Sequence, residues 1–70
     1  MRHYLIVIER AAHNYAAYSP DLLGCVATGR TAVEAKRRMQ QAIEVHLEGL
    51  REDGLPIPRP RAKAEYVAVA

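Results

Sequence analysis

A metal-dependent hydrolase needs several carboxylates converging on divalent cations. The carboxylates to weigh in this chain are Glu9, Asp21, Glu34 and Glu44. Glu9 ends an apolar run, Asp21 stands in a turn beside Pro20, and Glu34 is placed to cap a helix. Glu44 falls on the polar side of that helix. No two of them share one face and one end of a sheet, so no hydrolytic centre is expected. His3, His13 and His46 are too widely spaced for a zinc motif, and Cys25 is the only cysteine. A nucleophilic thiol needs an adjacent base and a lowered pKa. The sequence pairs Cys25 with no histidine, so it reads as a small buried residue. His46, at the edge of an apolar stripe, reads as a half-buried helix residue. No catalytic residue, metal ligand or cofactor is expected.

What remains is the polar run Ser19-Pro20-Asp21, and turn chemistry accounts for it. Pro20 fixes its own φ and holds Ser19 out of the helical region. Asp21 can bond local backbone amides, and Gly24 can adopt a positive φ. The spacing predicts a turn of defined shape over these residues, between a strand at Tyr15–Tyr18 and another at Cys25–Thr28.

The elements around this turn follow from periodicity. Tyr4-Leu5-Ile6-Val7-Ile8 is a continuous apolar run rich in β-branched residues, which predicts a strand from His3 to Glu9 buried on both faces. Ala11 to Asn14 is a turn. Thr31 with Glu34 three residues on is a capping box. Ala35, Met39, Ala42, Ile43, His46, Leu47 and Leu50 make one stripe at helical spacing. Gly54 ends the helix as its C′ residue. Such a helix of about 22 residues is roughly 33 Å long. Pro56, Pro58 and Pro60 make an extended connector, and Glu65–Val69 reads as a last strand, free to lie parallel to an earlier one. The expected order is βββαβ: an α+β fold in one domain, residues 1–70.

Half of the 70 residues are apolar, but there is no Phe or Trp. Ordering costs roughly 1.5 kcal/mol per residue, which nearly cancels burial in so short a chain. With one cysteine no internal disulfide can help, so a partner chain or self-association as a dimer or tetramer is expected. A lone thiol and no leader segment fit a reducing cytoplasm. No apolar run approaches the ~20 residues needed to span a membrane. The net charge is +2. Arg30, Lys36, Arg37 and Arg38 cluster early in the helix, and Arg59, Arg61 and Lys63 follow it. A solvated face explains the first cluster; a basic nucleic-acid-binding module is the alternative, and salt-dependent RNA or DNA binding would distinguish it.

The run Tyr18-Ser19-Pro20-Asp21-Leu22-Leu23-Gly24-Cys25-Val26-Ala27-Thr28-Gly29, leading to Thr31, closely resembles the signature of the HicB-like antitoxin family, Y-S-P-D-L-P-G-C-x-A-x-G-x-T before a helix. Glu44 to Pro58 resembles that family's helix end and exit loop. Leu23 stands where the signature has proline, and Arg59 where the exit loop often carries an acidic residue. The resemblance implies a trimmed RNase H fold with about four strands. It implies a non-enzymatic antitoxin that neutralises a HicA-like toxin, a small mRNA endoribonuclease, by covering its active face. Larger members carry a C-terminal DNA-binding domain, and none is evident here; an orphan HicB-like domain with another protein partner is a further alternative. Tyr15, Tyr18, Ser19, Asp21, Leu22 and Leu23 are the expected partner-binding residues. The tyrosines would serve as amphipathic anchors and Asp21 as an acceptor for a basic surface.

Overall fold

A computed structural model describes residues 2–70. The order is β1 (Val7–Arg10), β2 (Tyr15–Ser19), β3 (Leu22–Gly29) and α1 (Ala32–Glu52). The strands form an antiparallel sheet in the order β1-β2-β3. The helix packs across one face, mainly over β3.

The β1–β2 loop is closed by the Ala11 N–H donating to the Asn14 carbonyl at 2.8 Å. The β2–β3 loop is only Pro20-Asp21, because Ser19 already pairs with Leu22. Neither loop residue has a positive φ, so this is not one of the primed turns that match strand twist. The mismatch is absorbed one step later. Tyr18 pairs with Val26 while Ser19 pairs with Leu22. The three extra residues of β3 form a bulge around Gly24, whose φ is 78°. The sequence places Gly24 in the turn; it belongs to this bulge, and β3 starts at Leu22 rather than Cys25.

The helix follows its local signals closely. The Thr31 side chain accepts from the Glu34 N–H at 3.0 Å, and the Glu34 carboxylate accepts from the Arg30 N–H at 3.0 Å. The reciprocal bond thus lands one residue earlier than in the usual box. At the far end, the Leu55 N–H donates to the Leu50 carbonyl and the Gly54 N–H to that of Arg51. With Gly54 at φ 68°, this is the Schellman arrangement.

The core is thin. Ala17, Leu22, Cys25, Ala35 and Met39 are buried, and only Leu22 and Met39 among them are large and fully enclosed. Tyr4, Ile6, Ile8, Tyr15, Ala27, Ala42, Ile43 and Leu47 pack around them.

Two expectations change. The Tyr4–Ile8 run is only half-buried. Only Val7 and Ile8 of the run enter a strand, because the outer strand β1 spans Val7–Arg10 rather than His3–Glu9; Tyr4, Ile6 and Ile8 pack against the core, and Leu5 and Val7 alternate with them. The strand expected over Glu65–Val69 does not form in the single chain. Residues 55–70 run without regular structure, and Tyr66, Val67 and Val69 are exposed. The described residues therefore form an α+β unit of three antiparallel strands and one helix, as the expected class requires, and the fourth strand of the expected arrangement is not formed in the single chain. Pairing of a last strand depends on a partner edge, and no sequence window contains that information.

Candidate functional site

The sheet has one face under α1 and one face open. Register defines the open face. Val7 opposes Tyr18, and Tyr18 opposes Val26, giving one row; Glu9, Ala16 and Thr28 give the next. Tyr18 is 41% exposed and Val26 66% exposed. Leu23 stands out from the bulge at 90% exposure. An aromatic and two valines thus form an apolar row with Glu9 in the next row, and Leu23 extends this apolar strip from the bulge that precedes Val26 in sequence, more than scattered surface residues require.

The residues expected to bind a partner divide by orientation. Tyr18 and Leu23 are exposed; Tyr15 is half-buried on the helix side. Ser19 and Leu22 are buried, at 3% and 1% exposure, and present no surface in the single chain. Leu22 anchors in the core the hairpin that carries Tyr18 and Leu23. The Ser19 hydroxyl has no hydrogen-bond partner. Asp21 is not a free acceptor. One oxygen of its carboxylate accepts from the Arg61 and Ala62 backbone N–H groups, both at 3.1 Å. The Tyr4 hydroxyl donates to the Pro58 carbonyl. These contacts fasten the exit loop beside the β2–β3 turn, and a shallow groove between Pro20, Asp21, Leu23 and Ile57, Pro58, Arg59, Arg61 results.

Val7 and Val26 are the strip residues that the sequence reading missed. Their signal was present: both occupy positions that alternate with core residues, yet are apolar. Only the register shows that they meet at Tyr18.

The groups weighed for chemistry stay apart. Among the described residues, no cluster of three or more His, Cys, Asp or Glu side chains could hold a metal ion. Cys25 and His46 line one shallow groove between the β3 bulge and α1. Burial pushes the Cys25 thiol above its usual value, opposite to what activates a nucleophile. Glu34 is held below the usual carboxylate range, chiefly by the Arg30 N–H it accepts from, with nearby Arg38, Arg30 and Arg37 charges adding to this. Of the helix cations, Arg38 pairs with Glu34 at 3.5 Å and donates to the Thr28 carbonyl at 3.4 Å. Arg30, Lys36 and Arg37 are exposed.

Comparison with known proteins settles the family. Residues 4–69 match the family described as HicB-like antitoxin of bacterial toxin-antitoxin system. The chain belongs to the HicB-like antitoxin family. It is 34% identical over 64 residues to an uncharacterized 14.9 kDa protein in the rep-hol intergenic region of Haemophilus phage HP1, covering 91% of this chain and 48% of that protein. This chain thus spans about half the length of the phage relative. A UPF0150 protein of Helicobacter pylori is 43% identical over 49 residues, 70% of this chain and 68% of its own. A UPF0150 protein of Thermoplasma acidophilum is 30% identical over 63 residues, 90% and 91% of the two chains. No solved structure matches significantly. No helix among the described residues is long and apolar enough to cross a membrane. The HicB-like signature run spans the end of β2, the turn and all of β3, so it supplies Tyr18, Leu23 and Val26.

Proposed function

We propose that this HicB-like chain is a cytoplasmic, non-enzymatic antitoxin that neutralises a HicA-like mRNA endoribonuclease by covering its active face. The observation that carries the reading is the open strip of Tyr18, Leu23 and Val26, built by the run that marks the family. A buried aromatic among aliphatic side chains is what protein interfaces favour at their centre. HicA-like toxins are expected to be basic, and this chain is itself positive, so long-range attraction is weak. Local matching falls to Glu9, which is exposed beside the strip. Asp21 contributes by holding the exit loop and framing the hairpin; Tyr15, Ser19 and Leu22 support it from beneath. Self-association into a dimer or tetramer completes the reading, because five buried apolar residues are a slender core for 70 residues.

Co-expression with the toxin of the adjacent reading frame tests the role. The parent should restore growth, whereas Leu23→Asp and Tyr18→Ala should lose rescue while keeping the helical circular-dichroism signal. Undiminished rescue by both folded variants contradicts the assigned strip.

A further inference from the structure

Residues 63–70 are all exposed, and Tyr66 and Val67 are 102% and 83% exposed. The sequence there, Glu65-Tyr66-Val67-Ala68-Val69, is strand-forming, yet it touches nothing of its own chain that would bury it. The segment before it is fixed: Pro58 is held by Tyr4, and Arg61 and Ala62 by Asp21. The chain is thus carried to one end of the sheet and released there. The radius of gyration is 13.5 Å and the longest extent 47 Å, against about 11 Å for the radius of a compact chain of this length. The molecule is elongated.

An acceptor for such a strand exists at the β1 edge of the sheet. β1 is an edge, so its outward backbone groups lack a ladder. Val7 and Ile8, like Leu5 and Ile6 just before the strand, are apolar and half-buried. The other edge, β3, is a poorer template, because the Gly24 bulge interrupts it. Glu9 and Arg10 charge the far end of this edge, while Val7, Ile8 and the Leu5-Ile6 stretch before them carry no charge, proline or bulge, which leaves that apolar half as the pairing surface.

We propose that two copies exchange residues 65–69, each adding this segment as a fourth strand beside β1 of the other. This rests on the self-association in the reading above and names the segment and edge that perform it. The occupant is a second copy because one chain carries both halves of the match: an unburied strand-forming segment and an unpaired apolar edge. Two-fold exchange satisfies both at once. Tyr66 and Val67 then leave water, and Leu5 and Val7 gain a neighbour.

Sedimentation of the full chain at micromolar concentration, together with amide hydrogen exchange, tests the exchange. The parent should sediment at twice 7.8 kDa, with slow exchange at both Tyr66–Val69 and Leu5–Ile8. Val67→Pro removes a ladder donor at a position with no contact in the single chain. It should halve the mass, keep the helical signal and release both segments to fast exchange. A parent of 7.8 kDa overturns both the exchange and self-association. A Val67→Pro protein that remains a dimer, or protection of one segment without the other, overturns the exchange alone.

Discussion

Gly29 lies where the end of β3 passes beneath the start of α1. A Cβ there would stand 2.5 Å from the Ala35 backbone nitrogen, and backbone cannot yield as a side chain can. Gly29→Ala should therefore destabilise by about 1–3 kcal/mol, read as a lowered urea midpoint. Ser19 is the converse. Its buried hydroxyl has no partner, so Ser19→Ala loses no hydrogen bond and removes a desolvated polar group. Its urea midpoint should be unchanged or raised. A clear loss of stability would show that the hydroxyl is satisfied in solution by a group not seen in the single chain. Neither feature was legible in the sequence. Gly29 stood as one letter of the signature run and Ser19 as an expected contact, because both features depend on what the helix covers. Asp21 read as an acceptor for local amides or for a partner's basic surface, whereas its donors are the Arg61 and Ala62 N–H groups, forty and forty-one residues away and beyond any local pattern.

At the scale of elements, α1 was the most legible part, since caps and stripe are encoded within a few residues. Thr31→Ala should cost about 1 kcal/mol through the lost bond to the Glu34 N–H. Met39 is fully enclosed and Leu47 only flanks the core. Met39→Ala should cost about 2–5 kcal/mol, and Leu47→Ala less, although the stripe alone does not rank the two. Equilibrium unfolding of the three variants checks the order. The lowered Glu34 pKa adds a pH signature. Its contribution is present above the carboxylate's unfolded value and fades as pH falls through the folded one. Glu34→Gln should therefore flatten the acid limb of the stability profile and leave the neutral limb little changed in shape. The strands were less legible. Their existence followed from apolar runs, but their limits, the Gly24 bulge and the unpaired state of Glu65–Val69 are set by partners across the sheet.

The whole molecule is a sheet covered on one side only. Its signature run builds an apolar strip on the uncovered side, and an edge strand and an exposed segment remain unpaired in the single chain. We propose that a fold so thinly packed is completed by other chains, and the central claim is that the open strip takes a toxin. Titrating the purified chain into an RNA-cleavage reaction run by the HicA-like endoribonuclease tests that claim most directly. The parent should abolish cleavage near one antitoxin chain per toxin chain, and a folded Leu23→Asp variant should need at least ~10-fold more protein, equivalent to about 1.4 kcal/mol. Cleavage that continues at the parent's full rate, or a Leu23→Asp protein as potent as the parent, would contradict it.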